Sequence, residues 1–310
     1  MRRAAPAGLR TGRRSPLVTG VGVVTVTFSP GPTLPSLLDS IGLATDRDVR
    51  VVLADNGSTD GSVEAAAERD GVTLLRTGGN VGYGIAANLG IAELGGEVDF
   101  VLLTNPDVVL RPGSIDELVA VALRYPTAGA VGPLILTEDG TVFPSARRLP
   151  SIGSGIGHAL LGWWYPKNPW TRAYRDDRAA PVEREAGWLS GACLLLRREA
   201  FEAVGGFDPS YFMYFEDVDL GDRLARHGFP NIYAPSAVVV HVGGDSAGKH
   251  PREMALAHHH SAYHYLSSRY ARWWQAPLRL VLRVGLAARA TLAARSAKVA
   301  GGAALPERKA

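Results

Sequence analysis

One cysteine in 310 residues, Cys193, excludes an intramolecular disulfide and fits a reducing compartment. It sits in GACLLLR, which reads as a buried strand and not as the setting of a nucleophile. No uncharged apolar run reaches the roughly 18 residues needed to span a bilayer. No apolar stretch of signal-peptide length follows the early arginines. These absences lead us to expect a cytoplasmic protein, peripheral on the inner face of the plasma membrane. Internal repeats and low-complexity core segments are also missing.

Acids are scarce at both ends. Residues 1–16 hold five arginines and no acid; residues 269–310 hold nine Lys or Arg against Glu307 alone. Since the whole chain carries only +3, the body between is acidic. An acidic body with basic ends lacks the basic reading face of a nucleic-acid binder. Basic ends suit an anionic bilayer surface instead.

What is present is an alternation of buried strands and helices. VGVVTVTF (21–28), VRVVLAD (49–55), VTLL (72–75) and DFVLLT (99–104) read as strands, with helices over SVEAAAERD (62–70) and in the stretch GGNVGYGIAANLGIAEL. That order predicts an α/β fold, a mostly parallel sheet with helices on both faces. Further strands are expected at 130–136, 191–197 and 236–242, and a helix over EDVDLGDRLARHG ending at Gly228. Residues 144–187, with Trp163, Trp164, Pro166, Pro169 and Trp170, read as a long loop-rich insert. We expect a disordered tail over 1–16, a catalytic domain over 17–268 divided near residue 136, and a basic helical segment over 269–310.

Ligands of such sheets bind at the carboxyl ends of the strands, where Asp55 and Asp107 fall. Asp55 either receives a nucleotide base or ribose, or closes an Asx-turn. Asp107, on a Pro-stiffened turn, either meets a hard cation carrying phosphates or is a turn residue. His241 ends a strand and matters only if it stands beside Asp107. His258, His259, His260 and His264 read as a polar helix face. GGNVGYG has neither the pattern nor the lysine of a P-loop.

YFMYFEDVDLGDR places four carboxylates behind four aromatics. Asp219 and Arg223 stand i, i+4 and predict an ion pair, and Asp222 is expected to face solvent. Glu216 and Asp217 come at the helix entrance beside the rings, where partial desolvation raises basicity. Asp217 is the candidate base, with Glu216 second.

In order along the chain, DNGSTDGS, NVGYGIAANLG, LLTNPDVVL, the long segment from WLSGACLLLRREAF to YFMYFEDVDLGDRLARHG, and the strand ending in His241 resemble the family 2 inverting glycosyltransferases of the GT-A fold. PSARRLP, the NPW of the insert, GWLSG, YFMYFEDVDLGDRL and AHHH are similar to the rhamnosyltransferase-like branch, and within it to the member that builds the linker between arabinogalactan and peptidoglycan. The resemblance implies a dTDP-rhamnose donor and a polyprenyl-diphosphate-linked GlcNAc acceptor. It assigns Thr27, Asp55, Asn80, Gly82, Asn105 and Arg147 to the nucleotide sugar. It assigns Asp107 and His241 to a divalent metal (Mg²⁺ or Mn²⁺), Asp217 to the base, and Trp188, Gly191, Tyr214 and Phe215 to the acceptor. The family's DxD reads Asn105-Pro106-Asp107 here, so one acid of that motif is present. Three readings stay open beside this one: a galactofuranosyl or hexosyl donor, a non-catalytic membrane scaffold, and a nucleotidyltransferase.

Residues 273–300 mix Leu and Val with Arg279, Arg283, Arg289, Arg295 and Lys298. At about 100° per residue these cations spread around a helix, which Pro277 and Gly285 are expected to break. Trp273, Trp274 and the cations are the expected bilayer contacts.

Overall fold

The structure is a computed structural model and describes residues 20–150, 181–243 and 251–302. The tail 1–16 and the tryptophans 163, 164 and 170 of the insert lie outside the described residues.

The chain opens with β1 (Val21–Thr27), α1 (Thr33–Ala44), β2 (Arg50–Asp55), α2 (Ser62–Ala67), β3 (Val72–Arg76), α3 (Tyr83–Glu93) and β4 (Phe100–Thr104). Strands β3, β2, β1 and β4 pair in parallel in that order. All seven β1 residues are buried, because helices cover both faces. Side chains alternate across the sheet. Val21 and Val23 point into one core with Leu34 and Leu37 of α1 and Val63 of α2. Val24 and Val26 point into the other with Ala86, Ala87 and Ile91 of α3. Helix α3 lies close on the sheet: a Cβ at Gly90 would stand 2.7 Å from Cγ1 of Val24.

Residues 108–129 carry no assigned element in the sequence reading. They form β5 (Val108–Leu110) and α4 (Ser114–Arg124), whose Ile115, Leu118, Val119 and Ala122 enter the first core. The sheet continues through β6 (Ala130–Thr137), on which the short β7 (Val142–Phe143) folds back. Part of the expected loop insert is ordered: β8 (Ala146–Arg147) pairs antiparallel with β10 (Trp188–Leu189), and β9 (Arg184–Ala186) joins the main sheet.

Strand β11 (Cys193–Arg197) runs antiparallel between β4 and β6. Cys193 is buried there, and burial pushes its thiol up to about 12, so it is inert. After α5 (Arg198–Ala203) and α6 (Glu216–Arg226) comes β12, which is longer than expected: Asn231–His241 instead of 236–242. Its register shifts between Ala234 and Val238, where Pro235 offers no amide to the neighbouring strand. The apolar run therefore marks only its second half.

Helix α7 (Pro251–Arg269) leads through a short turn at Trp273–Gln275 into α8 (Ala276–Gly302). The expected break at Pro277 and Gly285 does not occur. Pro277 falls in the first turn, where its missing amide has no partner to lose. No helix among the described residues is long and apolar enough to cross a membrane.

Candidate active site

The ends of β1 and β2 form a knot of polar side chains. Asp55 is buried, and its carboxylate accepts from the Thr27 hydroxyl at 3.1 Å, the Ser58 amide at 3.0 Å and Arg76 at 3.2 Å. The turn reading of Asp55 is thus realised in the geometry. A nucleobase reaching Asp55 would displace the half-exposed Arg76. Asn56 Oδ1 accepts from the Val81 amide at 2.9 Å, and its amide donates to Asn80 Oδ1 at 2.9 Å. Asn80 also accepts from the amide of Gly82 at 3.2 Å. Gly82 must be glycine: φ is +93°, and a Cβ would stand 2.5 Å from the Phe212 carbonyl. That carbonyl accepts from the Tyr83 amide at 3.0 Å, tying the glycine loop to the loop before α6.

Asp107 and His241 meet across the β5–β12 pairing, with Nε2 of His241 3.1 Å from Oδ1 of Asp107. Both side chains remain partly open to solvent. A carboxylate and an imidazole suit Mg²⁺ or Mn²⁺ with phosphate and water completing the shell. Among the described residues no third His, Cys, Asp or Glu joins them, so of these residues the pair alone would hold such an ion, with phosphate and water in the rest of its shell. Asn105 donates its amide to the Ala192 carbonyl at 2.8 Å, joining this turn to the start of β11.

The loop before α6 is strained. Tyr214 and Phe215 have φ of +65° and +67°, a region costly for residues with side chains, on the order of 1–3 kcal/mol each. Packing holds them there: both rings meet His258 edge-on, Phe215 tilts against buried Tyr265, and Ser261 donates to the Met213 carbonyl at 2.8 Å. The expected polar histidine face is therefore a packing face in part. His264 also meets Tyr211 edge-on and lies 2.8 Å from the Ser210 hydroxyl.

The strained turn delivers the acids. Asp217 Oδ2 accepts from the Gly191 amide at 3.0 Å, and Oδ1 from the Val218 amide at 2.8 Å. Burial raises its pKa; the two amides and Arg147 oppose that rise. Glu216 is buried, and its Oε2 has no hydrogen-bond partner among the described residues. Burial, then the Asp217 charge, pushes its carboxyl up to about 8. Glu216 is thus protonated at neutral pH. Tyr83 donates its hydroxyl to the Gly191 carbonyl at 2.9 Å and is kept neutral by burial and the two acids.

The remaining acids of the helix are structural. Asp219 pairs with Arg223 at 2.6 Å. Asp222 does not face solvent: it is buried, and it accepts from Arg226 and Arg269 at 2.7 Å each and from Tyr265 at 3.3 Å. The helical period turns it toward α7, whose partners lie more than forty residues away and left no local signal.

A cavity of about 200 Å³ opens beside Asp217. Arg147, Trp188, Tyr214, Phe215, Glu216 and Asp217 line it together, joined by Arg148 and His258, which the sequence reading did not single out for it. Thr27, Asp55, Asn80, Asn105, Asp107 and His241 are not in its lining. The structure thus forms two groups, linked by the Ala192–Asn105 and Gly191–Asp217 hydrogen bonds.

Residues 22–205 match the family model for glycosyl transferase family 2. The chain is 55% identical over 284 residues to N-acetylglucosaminyl-diphospho-decaprenol L-rhamnosyltransferase of Mycobacterium tuberculosis, covering 88% of this chain and 92% of that protein. Mannosyltransferase PcManGT from Pyrobaculum calidifontis, solved with GDP-Man and Mn²⁺, is similar at a TM-score of 0.52 and 20% identity, over 93% of this chain and 76% of that one. GalNAc-T7, solved with UDP, GalNAc and Mn²⁺, is similar at a TM-score of 0.55 and 16% identity, over 86% and 54%. The two structures share the GT-A fold with this chain. By the family match and the end-to-end relationship in sequence, this chain is a glycosyltransferase and belongs to glycosyl transferase family 2.

Proposed function

We propose that this enzyme transfers L-rhamnose from dTDP-rhamnose to GlcNAc-diphospho-polyprenol, with inversion, in the synthesis of a cell-wall linker. The relationship to the mycobacterial rhamnosyltransferase carries the choice of substrates. The chemistry rests on Asp217, a carboxylate that lines a cavity walled by aromatic rings.

In this reading the nucleotide sugar occupies the strand ends near Thr27, Asp55, Asn80, Gly82 and Asn105. Asp217 takes the proton of an acceptor hydroxyl as its oxygen attacks the anomeric carbon. The new carbon–oxygen bond forms on the face opposite the breaking one, whose electron pair leaves on the phosphate oxygen of the nucleoside diphosphate. One displacement inverts the centre, and no carboxylate nucleophile is needed. Asp107 and His241 would hold a divalent metal; such an ion, when bound, neutralises charge on the leaving diphosphate. Trp188, Tyr214 and Phe215 pack the acceptor sugar, and the Gly191 amide aims the base.

A lipid acceptor calls for a bilayer nearby. Helix α8 packs on α7 through its Leu278, Leu282, Leu286 and Ala290 side, of which Ala290 is buried. Trp273, Trp274, Leu280, Val281 and Val284 lie on the other side, each more than half exposed. At about 100° per residue Leu280, Val281 and Val284 fall within one third of the helix circumference. No acid occurs between Glu253 and Glu307, whereas Arg272 and Arg283 are exposed beside this face. The enzyme would rest here on the anionic inner leaflet of the plasma membrane, each nearby cation contributing about 1 kcal/mol.

A donor screen tests the function. With GlcNAc-diphospho-polyprenol as acceptor and Mg²⁺ or Mn²⁺ present, dTDP-rhamnose is expected to give product of inverted configuration. UDP-galactofuranose and UDP-glucose are expected to give none. Transfer from either of these, with none from dTDP-rhamnose, would refute the reading.

A further inference from the structure

The resemblance assigns Arg147 to the nucleotide sugar; in the structure it stands apart from the strand-end residues assigned with it. It ends β8, paired across the ribbon with Trp188, and both line the cavity beside Asp217. None of the residues grouped at the ends of β1 and β2 shares that lining. The Arg147 Nε donates to the Pro144 carbonyl at 2.9 Å, and its guanidinium carbon lies 5.9 Å from the centre of the Trp188 ring. The backbone carbonyl and the ring fix the group, while its two terminal nitrogens make no hydrogen bond among the described residues. Guanidinium held in this way presents a preformed fork to phosphate oxygens.

The charges around the cavity agree. Among the described lining residues Arg147 brings a guanidinium to the cavity, and Glu216 beside it is neutral at neutral pH. His258 does not add to the positive charge: its packing, then His259 and Arg289, lower its pKa. The held guanidinium of Arg147 therefore offers an anion a place beside Asp217, and the rings of Trp188, Tyr214 and Phe215 suit the sugar attached to it.

We propose that Arg147 binds the diphosphate of the lipid-linked acceptor and not that of the nucleotide donor. This rests on the lipid-diphosphate acceptor proposed above. It divides recognition between two ends: strand-end side chains for the donor, and the β8–β10 ribbon for the acceptor. Holding the acceptor by its diphosphate sets its sugar hydroxyl toward Asp217.

Calorimetry on the full chain tests this without turnover, with GlcNAc-diphospho-farnesol, its monophosphate counterpart, and dTDP as probes. Arg147→Ala is expected to weaken binding of the diphosphate acceptor about tenfold or more, a loss of roughly 1.4 kcal/mol. Arg147→Lys, which keeps the charge but loses the fork, should fall between, and both variants should melt with the wild type. Binding of dTDP should stay unchanged, and the variant should lose its preference for diphosphate over monophosphate. Weakened dTDP binding with unchanged acceptor binding would overturn the proposal, as would an intact diphosphate preference. Arg147-dependent acceptor binding in an enzyme that transfers no rhamnose would uphold this site and count against the rhamnosyl reading alone.

Discussion

The amide of Gly191 donates to Oδ2 of Asp217 at 3.0 Å, while the carbonyl of the same glycine accepts from Tyr83 at 2.9 Å. One peptide unit further on, the Ala192 carbonyl accepts from Asn105, two residues before Asp107. Asp217, the proposed base, and the Asp107–His241 pair are thus both referenced to the residues that lead into β11. Such positioning is what a single-displacement transferase requires, because misplacing the base by about 1 Å can cost roughly a hundredfold in rate.

Glu216 makes stability depend on pH. Its folded pKa of about 8 lies above the ordinary 4.5, so the folded state binds the extra proton between those values. Stability therefore falls as pH rises through that window. Glu216→Gln, which copies the protonated form, should melt close to wild type at pH 5. At pH 8.5 it should melt at least ~2 °C higher, the shift expected for about 1 kcal/mol in a chain of this size. A variant less stable than wild type at pH 8.5 would show that the ionised carboxylate is favoured in the fold.

Asp107 and His241 should act as a unit toward the metal. Mn²⁺ binding in the presence of dTDP, followed by electron paramagnetic resonance, should weaken about tenfold or more in Asp107→Ala or His241→Ala, as for the loss of one ligand from a sparse site. The double variant should lose little beyond either single one. Unchanged Mn²⁺ affinity in both single variants would exclude this pair as the site.

The exposed side of α8 predicts membrane binding with two components. Flotation with vesicles containing anionic lipid should recover the wild type and leave behind a variant with Trp273, Trp274 and Val281 replaced by Ser. Raised salt should weaken binding without abolishing it, since only the cationic part is screened. Equal flotation of both proteins would remove the membrane role of this face.

Much of the fold was legible because β1, β2 and β4 are unbroken apolar runs, and strand–helix alternation leaves few topologies. Helix α4 is less legible, although Ile115, Leu118, Val119 and Ala122 carry its period. Its start is a left-handed glycine, Gly113, with no side-chain cap to announce it. At the site, Asp217 was legible from its place between aromatics and a helix start. The burial of Asp222 was not, since its partner Arg269 comes from a distant helix. Nor was the location of Arg147, which depends on a two-residue pairing with Trp188 across 41 positions of chain. The exposed apolar side of α8, proposed to meet the bilayer, was hidden for a different reason. The helix is apolar on two sides, and only packing on α7 shows which one is covered.

The measurement closest to the central claim is the single-turnover rate of Asp217→Asn with saturating dTDP-rhamnose and acceptor. Asparagine keeps an oxygen for the Gly191 amide but cannot accept a proton, so the fold and both binding affinities should hold while the rate falls. We predict a loss of about 10²–10⁴-fold, the range for removing a general base. A rate within a few-fold of wild type would contradict the assignment of Asp217 as the base.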